Sequence, residues 1–191
     1  MRLDPALHYL IVCLLTLVFV QGGISKLLAR DEFQGIVTNY RLLPAALVAS
    51  FALALPLAEL TAGIGVLLVP TRPHAALLAV GLLVMFSTAM AINLARGRTE
   101  IDCGCFKSAL RQTISGWLIL RNVLLILAGT ALWLPLAERA IGLLDFVSVA
   151  AGSLMLFLGY FAVGILTRRP ITRYDAGFAS GASIKRTWKT L

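Results

Sequence analysis

The sequence predicts an all-α protein, a polytopic transmembrane helical bundle of about five spans. Three observations predict it. Hydrophobic residues make up 59% of the 191 and charged residues only 14%, against about 25% charged in soluble domains. Five apolar runs reach the ~20 residues that a helix needs to cross ~30 Å of hydrocarbon. Nearly all the charge falls between those runs or after the last. Open strands are excluded as spans, because lipid offers no partner to their edges.

The first run, about 7–29, is too long for the ~7–15-residue core of a cleavable leader and has no small-residue cleavage pattern behind it, so a retained span is expected. The second, about 45–69, opens after Pro44 and closes at Pro70; Pro56 inside it frees a backbone carbonyl and is expected to bend the helix. The third, fourth and fifth cover about 74–95, 117–137 and 141–167. Two longer connections, 30–43 and 96–116, are expected as loops. Residues 1–167 thus form one bundle domain, and 168–191 form a basic, Gly- and Ser-rich tail expected to be flexible.

Seventeen Lys and Arg against nine Asp and Glu give a net charge of +8. The basic residues lie in short loops and the tail, which points to membrane orientation and anionic headgroups rather than to nucleic acid. With five spans, the 30–44 and 96–116 connections and the tail share one side. That side carries twelve Lys and Arg, and the other carries only Arg2, Arg72 and Arg139. The imbalance places the 96–116 connection in the cytoplasm.

That connection contains Asp102-Cys103-Gly104-Cys105-Phe106. Two thiols one residue apart can close only a small, strained ring, and a strained disulfide is easily reduced, which suits exchange. Free inert thiols and half a metal site are the rival readings. A structural zinc site wants four ligands, whereas His8 and His74 are expected at the opposite membrane face and Cys13 inside the first span, so no metal is expected.

Four residues within the spans are candidates for chemistry. Intramembrane charges are expensive and point to function by default. Arg121, beside Asn122, lies one turn inside the fourth span; Lys26 lies one turn inside the same edge on the first, and Asn93 near it on the third. A cation beside a thiol favours the thiolate, although Arg121 can also reach headgroups by snorkelling. Glu59 sits near the middle of the second span, three residues after Pro56. It is a candidate for a proton relay, a pocket wall or a packing hydrogen bond between helices. Gly22-Gly23 and the Gly63/Gly65 pair suit close helix approach.

Taken in order, Gly22-Gly23-Ile24-Ser25-Lys26, Tyr40-Arg41-Leu42-Leu43-Pro44, Leu55-Pro56-Leu57-Ala58-Glu59-Leu60, Asp102-Cys103-Gly104-Cys105-Phe106 and Leu120-Arg121-Asn122 resemble the MauE family of bacterial methylamine utilization membrane proteins. The resemblance covers about residues 7–137 and departs at Lys107, where family members usually have Gly. It implies a multi-pass protein of the bacterial inner membrane that assists maturation of the periplasmic, disulfide-dense methylamine dehydrogenase small subunit. It also implies a thioredoxin-like partner of the MauD type.

Three functions follow as hypotheses. In a thiol–disulfide relay, Cys103 and Cys105 are the catalytic pair, with Arg121, Lys26, Asn93 and Glu59 as thiolate-stabilising or pocket residues. A membrane quinone is a candidate electron acceptor, although no residue pattern here is a recognisable quinone motif. The rivals are a non-catalytic membrane scaffold and a small proton-coupled transporter centred on Glu59. The relay alone requires both cysteines. It also asks for an oxidising compartment, on the side opposite to the one the charge bias assigns.

Overall fold

The computed structural model describes residues 2–99, 101–103 and 113–166, and these form six helices. They are α1 (Pro5–Leu28), α2 (Arg30–Tyr40), α3 (Ala45–Leu67), α4 (Arg72–Ala95), α5 (Gly116–Ala131) and α6 (Leu143–Leu166). Helices α1, α3, α4 and α6 are long and apolar enough to cross a membrane, and α5 is a shorter apolar helix. The chain is therefore a polytopic helical bundle. The expected tail, 168–191, and Cys105 lie outside the described residues.

Local chemistry sets the helix ends. Asp4 caps α1, its carboxylate accepting the Ala6 N–H at 2.8 Å ahead of Pro5 in the first turn. Arg72 closes the α3–α4 turn by donating to the carbonyls of Val66 (2.9 Å) and Leu67 (3.2 Å), two of the acceptors that the end of α3 leaves open. Gly97, at φ +71°, lets the chain turn out of α4 while its N–H returns to the Leu94 carbonyl at 3.0 Å.

Two elements differ from the sequence expectation. Residues 30–40, expected as loop, form α2. Its first turn carries Asp31 and Glu32, favourable at a helix N-terminus, and it buries Phe33 and Val37, one turn apart. Its apolar stripe is too short to register as a span. The expected fourth span, 117–137, is helical only to Ala131. Pro135 lacks an N–H and holds its predecessor out of the helical region, so 132–134 turn instead. The 16 residues of α5 measure about 24 Å, less than the ~30 Å of a hydrocarbon core. Helix α3, by contrast, runs on through Pro56.

Helix α1 is central, packing on α3, α6, α5 and α2. Its contact with α3 is backbone-close. A Cβ on Gly23 would lie 2.9 Å from the Pro56 carbonyl oxygen and 2.8 Å from Leu60 Cγ, and one on Gly63 would lie 3.1 Å from the Val20 nitrogen. Thr16 Oγ donates to the Gly63 carbonyl at 3.0 Å. Small residues and interhelical hydrogen bonds are the means by which helices associate in lipid, where burial of apolar surface supplies no drive. Leu15, Val12, Val66 and Ala76 fill the centre, while Leu57, Ile64, Leu77, Leu124 and Leu127 face outward.

These contacts stagger α1 against α3. Gly23 meets Pro56 and Leu60, so α3 extends about two turns beyond the end of α1, and α2 packs on α3. At the other end, Leu3 exchanges backbone hydrogen bonds of 2.8 Å with Pro135 and Ala137, and Arg139 bridges Asp4 (3.3 Å) and Asp145 (2.8 Å). The bridge between Asp102 and Thr113, with Ile114 N–H on the Ile101 carbonyl at 2.9 Å, brings together the two ends of the Cys-containing connection.

Candidate functional site

The stagger carries Lys26 to the depth of Glu59. Lys26 Nζ lies 2.8 Å from Glu59 Oε1, and the two side chains are only 6% and 4% exposed. Gly22, one turn before Lys26, leaves the pair room: a Cβ there would lie 3.5 Å from Nζ and 3.6 Å from Oε1. The ammonium is also 5.6 Å from the Phe33 ring centre and 5.5 Å from that of Phe86. Aromatic faces attract a cation, more so where water is excluded. The Phe33 contact comes from α2, which explains why this short helix folds down on the bundle.

Beside the pair is a cavity of about 250 Å³. Its walls are mostly apolar, with Phe19, Phe51, Leu55, Phe86 and Leu125 among them. Its polar lining comprises Lys26, Glu59, Arg121, Asn122, Tyr40, Tyr160 and Cys103. Arg121 stacks on α6, its guanidinium carbon 4.3 Å from the centre of the Tyr160 ring. Cys103 is half-buried, packed with Tyr40 and Ile101 against Met90, Ile114 and Leu118.

Of the residues singled out in the sequence, the structure thus gathers Lys26, Glu59, Arg121 and Cys103 around one cavity. Asn93 lies apart. It is two turns beyond Phe86 on α4, fully buried, and its amide donates to the Ala89 carbonyl at 3.1 Å. Its Oδ1 accepts from Arg98 at 3.0 Å, and Arg98 in turn donates to the Asn39 carbonyl at 2.8 Å. Asn93 therefore ties the end of α4 to the end of α2. Among the described residues no group of His, Cys, Asp and Glu could hold a metal ion.

Sequence reasoning missed the aromatic partners Phe33, Phe86 and Tyr160. A buried cation needs compensation, so aromatic residues near each intramembrane Lys or Arg were the available signal. It also placed Lys26 near a membrane edge and Glu59 at mid-depth. Only the glycine contacts between α1 and α3 reveal that they meet.

The family described as Methylamine utilisation protein MauE matches residues 4–137, about 70% of the chain. The chain belongs to the MauE family. A methylamine utilization protein MauE from Methylorubrum extorquens is 43% identical over 180 residues, covering 93% of this chain and 89% of the relative. Those from Paracoccus versutus (38% identical over 184 residues, covering 95% of this chain and 96% of the relative) and Paracoccus denitrificans (42% over 135 residues, covering 71% and 70%) are also similar. No solved structure matches. Membership fits the helical bundle.

Proposed function

We propose that this MauE-family chain is a thiol–disulfide relay of the bacterial inner membrane that serves maturation of the periplasmic methylamine dehydrogenase small subunit. Cys103 and Cys105 cycle between disulfide and dithiol. When the oxidised pair meets a client dithiol, one client thiolate attacks a relay sulfur and forms a mixed disulfide. The second client thiolate then displaces it. The client gains an S–S bond and the relay gains two S–H bonds, so two electrons and two protons are transferred. A thioredoxin-like protein of the MauD type is the proposed intermediary.

The observation that carries this reading is the position of Cys103 on the wall of a cavity that Arg121 also lines, Lys26 being neutralised there by Glu59. Cations near a thiol favour the thiolate, which is the nucleophile. Glu59, by contrast, is engaged with Lys26 across α1 and α3, which supports a packing role for it. The test is trapping. Cys105→Ser leaves Cys103 without its resolving thiol, so acid quenching and non-reducing gels should reveal a mixed disulfide with the client or its thioredoxin-like intermediary. Absence of any such adduct in both single variants contradicts the relay.

A further inference from the structure

The cavity has more space and more hydrogen-bond donors than a thiol pair needs. We propose that it binds the head group of a lipid-soluble quinone, the acceptor for the electron pair released when Cys103 and Cys105 close their disulfide. The electron source rests on the relay reading; the binding site does not.

Size comes first. About 250 Å³ falls just below the ~300–1,000 Å³ of sites that enclose drug-sized ligands, so it suits a ring-sized head whose tail lies outside. The walls are what a flat, uncharged ring requires: Phe19, Phe51 and Phe86 with Leu55 and Leu125. On the polar lining are donors in Lys26, Arg121 and Asn122. A quinone offers two carbonyl acceptors at opposite ends of its ring. An anionic amphiphile suits the cavity less well, because its head would have to sit near the Glu59 carboxylate, which already occupies Lys26 at 2.8 Å.

The proposed way in from lipid is between α5 and α6. Helix α5 packs on α4 and α6 packs on α1, while α5 and α6 hardly touch one another among the described residues. The stack of Arg121 on Tyr160 spans that gap at the cavity wall. An isoprenoid or alkyl tail can leave through the gap while the head stays inside. The outward faces of both helices are apolar, with Leu120, Leu124 and Leu127 on α5 and Leu154 and Leu158 on α6 exposed.

The chemistry balances. The two thiols give up two protons and two electrons and form one S–S bond. The quinone takes up both electrons and both protons, its two carbonyl oxygens becoming hydroxyls. Arg121 and Asn122 are positioning residues that orient a carbonyl oxygen by donating to it, and the charge-assisted bond from Arg121 is roughly twice as strong as a neutral one. The product leaves through the same gap into the bilayer.

The test uses the full-length chain in lipid nanodiscs and decylubiquinone as the probe. Calorimetry should give saturable binding with one quinone per chain, and ultraviolet absorbance should show one equivalent reduced by the dithiol form. Leu125→Trp, which fills the cavity, should weaken binding tenfold or more. Arg121→Gln, which removes a donor without adding bulk, should also weaken it by about tenfold, with an unchanged elution profile. The double variant Cys103→Ser, Cys105→Ser should reduce none. Oleate, an apolar chain with an anionic head, should fail to displace the probe at equal concentration. The proposal is overturned by lack of saturable binding, by unchanged binding in both cavity variants, by displacement by oleate, or by binding without reduction in the unmodified protein. Failure of the relay itself is read elsewhere, in client disulfides that form without the cysteines.

Discussion

Lys26 on α1 and Glu59 on α3 form an ion pair of 2.8 Å in the interior of the bundle, walled by the rings of Phe33 and Phe86. Each side chain alone would be an uncompensated charge among apolar groups. Together they are neutral, and they lock the depth of α1 against α3.

This pairing predicts a strongly non-additive mutant cycle. Lys26→Met and Glu59→Leu should each destabilise the bundle by about 3–5 kcal/mol, because each strands the partner's charge. The double variant should recover much of the loss. Glu59→Gln should be tolerated better than Glu59→Lys, which sets two cations side by side. Unfolding of the purified protein in mixed micelles measures all of these. Additive losses would show that the pair does not act as a unit.

The glycines of the α1–α3 contact should differ sharply from the others. Gly23→Ala places a Cβ 2.9 Å from a backbone oxygen and should cost about 1–3 kcal/mol by overpacking. Gly35→Ala meets nothing within 4 Å and lies within α2, so it should be neutral or stabilise by about 0.5–1 kcal/mol through its helix propensity. Thermal unfolding of the two variants side by side distinguishes them. Equal effects would mean that α1 and α3 do not approach through Gly23.

The Leu3–Leu136 bridge and the Arg139 ion pairs to Asp4 and Asp145 hold the start of α6 beside the N-terminus, and its 24 residues then carry the end of α6 to the opposite end. Reporter fusions at residue 1 and after 166 should therefore report different compartments. Matching compartments would single out α5, with its short 16 residues, as a helix that does not cross.

The fold was largely legible because lipid narrows the options: long apolar runs must be helices, and prolines and charged loops mark their ends. Helix α2 was not legible, since its 11 polar-rich residues show only Phe33 and Val37 as a stripe, and its formation depends on packing against the overhang of α3. The site was legible as a set of residue types but not as a geometry. Lys26, Glu59 and Arg121 stand out as charges in apolar runs, and Lys26 and Arg121 fall at one level by sequence, but the mid-span position of Glu59 separates it from them. The stagger set by Gly23 and Gly63 is a tertiary fact that no single helix carries. Asn93 drew notice for the same reason as the others and turns out to hold Arg98 and the α2 end in place.

The side of the membrane is decided by labelling. A relay acting on a periplasmic client must expose Cys103 and Cys105 outside the inner membrane, against the direction of the charge bias. A membrane-impermeant maleimide should therefore modify them in reduced, intact cells once the outer membrane is permeabilised. Protection until the inner membrane is broken would place the pair in the cytoplasm and exclude direct exchange with the client.

The most direct measurement is the disulfide state of the methylamine dehydrogenase small subunit in cells carrying Cys103→Ser, Cys105→Ser or both. Alkylation with a mass-shifting maleimide and gel separation reports it. The relay predicts normal levels of this membrane protein in every strain and an under-oxidised client in each single variant. The double variant should be no worse than either, as for residues that act as one unit. A fully oxidised client in the double variant would contradict the relay and leave the bundle a scaffold.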